Sequence, residues 1–406
     1  MKILQLAKKF PYPVKDGEVI GIINLTKGFA QLGHEVTVLA LNTQKHYFNP
    51  VHLPAEIASL ARWEAVDIDT SLSKTAALKN LFTDKSYNIE RFYSAAYEAK
   101  LTQLLLEESY DVVLLEGIYL MRYIDAIRAA LKQAGSKAVV VQRPQNVEFK
   151  IWERLAKQEN NPLKRTYLDI LAKRMKRFEL DQVFKADVVI PVSKVDLDLF
   201  KSMRRTKTPA VAIPTGYVFD TLPDFTQIEE EHAVAFIGGM DWLPNLEGVK
   251  WFLRDVWPMV LRQKKDAKFY IAGRNFPPDL LKTRMKGVRI VGEVDNAQQF
   301  ILSKSICIVP LFAGSGMRVK IIEAMALGRA VVSTTIGAES INYTTNKNIQ
   351  VADSARNFAT YITDLLYNND KRIALGKSAQ DLIREEYDNR KICRQILTFI
   401  EQNRKG

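Results

Sequence analysis

The chain opens on an apolar run, Lys2-Ile3-Leu4-Gln5-Leu6-Ala7, followed by a loop rich in turn formers, Phe10-Pro11-Tyr12-Pro13-Val14-Lys15-Asp16-Gly17-Glu18. Apolar positions then recur at Ile22, Leu25, Phe29 and Leu32, the spacing of one helix face, until Gly33 stops them. Glu35-Val36-Thr37-Val38-Leu39-Ala40-Leu41 follows, rich in β-branched residues, and reads as a second strand. Similar runs recur at 112–115, 138–141, 188–191 and 211–214, separated by helical patterns. Continuous apolar strands alternating with helices predict a parallel sheet covered on both faces. After Asp220 the pattern pauses in a polar, acidic stretch ending Glu229-Glu230-Glu231-His232. It restarts at 233–239 and continues through 269–273, 288–292, 306–310 and 330–334, and the segment from about Lys371 to Glu401 is helical throughout. The expected fold class is therefore α/β, with two tandem Rossmann-like, doubly wound domains of mainly parallel sheet. The first is expected over 1–215, a linker over 216–232 and the second domain over 233–378. A closing helix over 379–406 would cap the second domain or pack back on the first.

Composition narrows this reading. At roughly 100–200 residues per domain, 406 residues accommodate two domains with full cores. Two cysteines, Cys307 and Cys393, are too few for a disulfide framework or a cysteine-rich zinc site and fit a reducing compartment. The first residues lack the apolar stretch of a signal peptide, and no run reaches about 18 apolar residues, so a cytoplasmic location is expected. Net charge is +12. Such a surplus suits nucleic acid, anionic membrane, phosphorylated small molecules or no partner at all. The clusters Lys173, Arg174, Lys176, Arg177 and Arg204, Arg205, Lys207 lack interleaved aromatics, which argues against nucleic acid and leaves peripheral contact with an anionic membrane as the stronger macromolecular candidate.

The richest chemistry lies in the segment Pro310 to Gly328. A strand ends at Pro310, Gly314 and Gly316 let the backbone approach a ligand, and the helix that follows offers free N–H groups to an anion. Arg318 and Lys320 fall at its first turn, where cations are disfavoured unless a bound phosphate offsets them. The bland alternative is a flexible loop with solvated charges. Glu323, a turn on, can accept hydrogen bonds from ribose hydroxyls or be an ordinary helix carboxylate. Cys307 sits inside an apolar strand and reads as core. No Gly-x-Gly-x-x-Gly turn follows the first strand, where Leu6 leads into Ala7-Lys8-Lys9-Phe10-Pro11, which argues against a nicotinamide dehydrogenase.

The segment Gly314 to Gly328, continued by Arg329-Ala330-Val331-Val332-Ser333-Thr334-Thr335-Ile336-Gly337-Ala338-Glu339, resembles the donor-binding signature of the family 4 retaining glycosyltransferases. Phe236-Ile237-Gly238-Gly239-Met240-Asp241-Trp242-Leu243-Pro244-Asn245, Ile271-Ala272-Gly273-Arg274, Val291-Gly292-Glu293-Val294 and the Gly17 loop with Gly33-His34-Glu35-Val36-Thr37 extend the resemblance in family order over nearly the whole chain. It implies the GT-B architecture, with the active site in an interdomain cleft and a nucleotide-diphosphate sugar on the second domain. Carried over, Arg318 and Lys320 hold the diphosphate, Glu323 the ribose, and Gly292-Glu293-Val294 the base. Gly314, Ser315, Gly316 and Met317 form the donor loop. The loop Asp16-Gly17-Glu18 approaches the diphosphate or the acceptor, a glycan or lipid-linked molecule at the inner face of the membrane. The family implies front-face transfer with retention, no cofactor and no metal, because cations and helix dipoles stabilise the leaving diphosphate. Asp67-Ile68-Asp69 and Asp196-Leu197-Asp198 spell the Asp-x-Asp of metal-dependent transferases but lie away from the donor loop and read as chance.

Two positions depart from the family. Ser315 stands where a Glu often precedes the ribose Glu by eight residues, and Gln145 stands where a His normally precedes the Asn, here Asn146. Gln145 is retained with Arg318 and Lys320 as the catalytic set, as a hydrogen-bond donor that cannot be protonated as imidazole can. None of His34, His46, His52 and His232 falls at a comparable strand end, and each reads as a surface residue. Two other functions stay open: a nucleotide-sugar epimerase of the same architecture, against which the histidine-poor first domain argues, and a non-catalytic nucleotide-sugar-binding protein.

Overall fold

A computed structural model describes residues 1–14, 16–71, 73–219, 230–314 and 316–404. One compact unit consists of Met1–Gly216, Ser315–Met317 and Asn389–Gly406, the other of Tyr217–Gly314 and Arg318–Asp388. Much of the 216–232 linker expectation, including Asp220 and Glu229, lies outside the described residues.

In the first unit the apolar runs become β1 (Lys2–Ala7), β2 (Glu35–Thr43), β3 (Arg62–Ile68), β4 (Val112–Glu116), β5 (Val139–Arg143) and β6 (Val188–Val189). They form one parallel sheet of order β3-β2-β1-β4-β5-β6. The reversal of order beside β1 is the switch point of a doubly wound sheet, where loops at strand C-termini diverge and leave room for a ligand. Leu4 and Leu6 of β1 are fully buried, as the uninterrupted apolar run requires. Helices α1 (Gly17–Gln31), α2 (Lys74–Leu81), α3 (Glu148–Gln158) and α4 (Pro162–Gln182) belong to this unit.

The strand expected at 211–214 does not form. Its backbone runs beside β6, with Val211 N donating to Val189 O and Ile213 N to Pro191 O, but Pro209 and Pro214 have no N–H with which to continue a ladder. An edge strand unforeseen in the sequence, β3, occupies the far side of the sheet; its residues are half-buried or exposed, with none buried, and they show no apolar run.

The second unit repeats the plan with β7 (Glu230–Ile237), β8 (Lys268–Ala272), β9 (Val288–Gly292), β10 (Lys304–Val309), β11 (Ala330–Ser333) and β12 (Gln350–Val351), all parallel, in the order β12-β11-β10-β7-β8-β9. Its helices include α5 (Leu243–Trp251), α6 (Val319–Ala326) and α7 (Asn369–Glu386). The helical pattern expected to be continuous from 371 to 401 is broken at Tyr387-Asp388, and α8 (Asn389–Gln402) starts afresh in the first unit. There Ile392, Cys393, Ile396, Leu397 and Ile400 share a core with Ile3, Leu25, Phe29 and Val36. Close approach of α8 to α1 depends on Gly28, where a Cβ would lie 2.3 Å from Cys393 Sγ. Among the described residues no helix is long and apolar enough to cross a membrane.

Candidate functional site

In the second unit, the C-terminal ends of β7 and β10 lie side by side because these strands are neighbours in the sheet. β10 leads through Pro310 and a glycine loop into α6, whose N-cap position is Arg318. A guanidinium only donates, so it cannot cap helix N–H groups as Asp16 caps α1, by accepting from Val19 N at 3.1 Å. The start of α6 is thus doubly positive, by dipole and by side chain. Arg318 is 5% exposed and lies 5.7 Å from the centre of the Trp242 ring. Gly314, at φ 137°, makes room for it: a Cβ there would lie 2.3 Å from Arg318 Nη2.

Lys320 donates from Nζ to Asn245 Oδ1 at 2.8 Å and lies 4.5 Å from the centre of the Phe236 ring. Burial, and secondarily the Arg318 charge, pull its ammonium down to about 7. Glu323, one turn further along α6, has its carboxyl pushed up to about 7 by burial. The two groups therefore stand near the midpoint of their titrations at neutral pH. At the edge of the same sheet β9 ends at Gly292 (φ 86°), whose carbonyl accepts from Gly273 N at 2.7 Å. Gly273 adopts φ 144° and abuts Gly238 O so closely that a Cβ would lie 2.0 Å away, so the loops after β7, β8 and β9 meet backbone to backbone. Glu293 is exposed, Val294 and Met317 are half-buried, and Gly316 is buried at φ 73°. Ser315 lies outside the described residues.

The first unit gathers a different set at the ends of β1, β4 and β5. Lys9 Nζ lies 2.8 Å from Asp16 Oδ2 and 3.3 Å from Glu18 Oε2; Lys8 Nζ lies 3.4 Å from Glu18 Oε2 and 3.9 Å from Glu148 Oε1. Burial alone would raise the Glu18 carboxyl, but Lys8 and Lys9 outweigh it and hold the group below the usual carboxylate range. Asp16 is lowered too, its burial outweighed by Lys9 and the Val19 N–H, with His46 contributing. His46 is half-buried near this loop, as His34 and His232 are at their own positions, and His52 is exposed.

Gln145 follows β5 and donates from Nε2 to Glu116 Oε2 at 2.6 Å. Gln5 Nε2 donates to the other oxygen at 3.0 Å, and Thr26 Oγ1 donates to Gln5 Oε1 at 2.7 Å. Glu116 is fully buried, and burial raises its carboxyl despite the nearby Arg143 charge. This chain fixes the Gln145 amide with one N–H turned to Glu116. The sequence reading missed Glu116, Lys8, Lys9 and Asn245. Glu116 left one usable signal, an acid closing an otherwise apolar strand.

The Asp-x-Asp pairs stand apart. Asp67 accepts from Asn42 Nδ2 at 2.8 Å and Asp69 from Ser71 N at 2.8 Å. Asp196 is buried, while Asp198 pairs with Lys194 at 2.5 Å. Cys307 is buried, its thiol pushed up to about 12 by burial, as a core residue should be.

Residues 231–368 match the family described as Glycosyl transferases group 1. The chain is 24% identical to an uncharacterized 44.6 kDa protein in the cps region of Klebsiella pneumoniae, over 97% of this chain and 98% of that one. Among solved structures it is similar to sucrose-phosphate synthase from Thermosynechococcus elongatus (TM-score 0.68, 15% identity, 99% of each chain). It is similar to Anabaena HepE in complex with UDP-glucose (TM-score 0.66, 14% identity, 99% and 100% covered). A variant of S. aureus TarM, in complex with fondaparinux, alpha-GlcNAc-glycerol and UDP, gives a TM-score of 0.67 at 12% identity, with 98% and 99% covered. These similarities show the fold, the two Rossmann-like domains of GT-B proteins.

Proposed function

We propose that the chain, whose residues 231–368 match the family described as Glycosyl transferases group 1, is a glycosyltransferase that moves a sugar from a nucleotide-diphosphate donor to a glycan or lipid-linked acceptor, with retention and without a metal ion. The observation that carries this reading is the start of α6, where a donor-only cap, Arg318, lies against Gly314 and the ammonium of Lys320 lies against Asn245 and Gly238. Two cations beside uncapped N–H groups suit a diphosphate. Glu323 accepts from the ribose hydroxyls, and the Gly292-Glu293-Val294 backbone reads the base. HepE and TarM are described with UDP or UDP-glucose, which makes UDP-sugars the first donors to test. The relative in a cps region supports a role in polysaccharide biosynthesis.

In the reaction so proposed, an acceptor hydroxyl oxygen bonds to the anomeric carbon on the face from which the diphosphate departs. The bond from that carbon to the phosphate oxygen breaks, and the hydroxyl proton passes to the departing phosphate. Arg318, Lys320 and the helix N–H groups stabilise the charge that gathers there. Gln145, oriented by Glu116, holds the donor sugar, and the Asp16-Gly17-Glu18 loop approaches the diphosphate or acceptor.

Incubation with UDP-, GDP- and ADP-sugars and oligosaccharide or lipid-linked acceptors should release nucleoside diphosphate with at least one pair, unaffected by chelator. Interconversion of the donor sugar without any acceptor would reassign the chain to an epimerase. Loss of all turnover on chelation would overturn the metal-free part.

A further inference from the structure

In the first unit, α2 ends with its apolar residues facing outward. Leu78 and Phe82 are spaced i, i+4 and so share one face. Leu78 is 61% exposed and Phe82 88%. A short helix in water draws its stability from burying its apolar face, so this exposure calls for an explanation. The end of α2 is nevertheless held in place. Arg174 of α4 donates from Nη1 to Asn80 O at 2.9 Å and Asn80 Oδ1 at 3.0 Å, and from Nη2 to Leu81 O at 2.9 Å, satisfying carbonyls that a helix C-terminus leaves unpaired. Arg177 Nη1 lies 3.8 Å from Asp84 Oδ1. The exposed pair is therefore presented beside a strongly basic helix: residues 162–177 contain six basic side chains and one acidic. Lys79 and Lys85 on the α2 side, and Lys173 and Arg177 on the α4 side, are all exposed.

We propose that this face docks on an anionic lipid bilayer, with Phe82 and Leu78 entering the boundary between headgroups and acyl chains and the surrounding cations meeting lipid phosphates. Charge complementarity favours lipid, since the whole chain carries +12 and this face concentrates part of it. Size favours lipid too. Two apolar side chains fall far short of the roughly 800 Å² per partner that a stable protein interface buries, whereas a bilayer needs only a shallow apolar anchor and basic residues. The inference does not rest on the donor site, because docking requires no nucleotide.

Co-sedimentation of the full chain with vesicles of phosphatidylcholine, and of phosphatidylcholine mixed with phosphatidylglycerol, tests it. The wild type is expected to sediment with the anionic vesicles and not with the neutral ones. Lys173→Gln and Arg177→Gln should each lower partitioning about five-fold, and Leu78→Ser with Phe82→Ser should lower it further with the net charge of the wild type. All these positions are exposed, so unchanged thermal melting and unchanged nucleotide binding are expected and separate this test from that of the donor site. Wild type remaining in the supernatant with anionic vesicles would overturn the proposal. So would binding of the double serine variant equal to wild type, which would mean adsorption by net charge alone. A change in oligomeric state of that variant, with no vesicle binding by the wild type, would assign the face to a protein contact.

Discussion

Arg318 at the N-cap of α6 is the residue on which the proposed donor site turns. Asp16, Ser73, Asn161 and Ser354 cap their helices by accepting a backbone N–H. Arginine cannot, and so leaves donors for an incoming anion. Arg318→Ala and Lys320→Ala are each expected to weaken nucleotide-sugar binding by ~1–3 kcal/mol, the range of a charge-assisted contact, measured by calorimetry. The pH dependence follows from the two perturbed groups. A bound diphosphate favours protonated Lys320, whose free ammonium stands at about 7, so affinity falls as pH rises above 7. Ribose hydroxyls are best met by ionised Glu323, whose free carboxyl also stands at about 7, so affinity falls as pH drops below 7. Binding of UDP-glucose, whose diphosphate does not titrate near neutrality, should therefore peak near pH 7. Glu323→Gln should remove the acid limb alone; a flat profile in the wild type would contradict both assignments.

At the scale of elements, packing is closest where helices or loops meet through glycine. Gly28→Ala would place a Cβ 2.3 Å from Cys393 Sγ and 2.7 Å from Asn389 Nδ2, forcing α1 and α8 apart. Overpacking of this kind costs ~1–3 kcal/mol. A lower melting temperature is expected, partly restored by adding Cys393→Ala, which removes the nearest atom. Gly273→Ala should lower both stability and nucleotide affinity, since it strains φ 144° and pushes the β7 loop away from the β8 loop. The alternation of elements could be read from the sequence because strands buried on both faces are unbroken apolar runs. The edge strand β3 could not, since Arg62-Trp63-Glu64-Ala65-Val66-Asp67-Ile68 has no such run, and neither could the break at Tyr387-Asp388, which contains no glycine or proline. Arg318, Lys320 and Glu323 could be picked out because a glycine loop and a helix start sit together in the chain. Asn245 and Glu116 could not, because what places them is sheet order: Asn245 meets Lys320 across 75 positions, and Glu116 meets Gln145 across 29.

For the molecule as a whole, the surplus of charge is divided among different tasks. Arg318 and Lys320 are assigned to the proposed donor site, Arg174 closes the end of α2, Lys173 and Arg177 are exposed on α4, and Arg143 is buried, donating to Ile213 O and Pro214 O at 3.1 and 3.0 Å. The central proposal is the nucleotide-sugar site at the start of α6. Thermal melting of the full chain with a panel of nucleoside diphosphates and nucleotide sugars, run beside Arg318→Ala, tests that claim most directly. A ligand that binds only the folded state at about 100 times its Kd adds about 2.7 kcal/mol of stability. At least one nucleotide is expected to raise the melting temperature of the wild type and to raise that of Arg318→Ala distinctly less. No shift with any nucleotide, or an equal shift in the variant, would contradict the account.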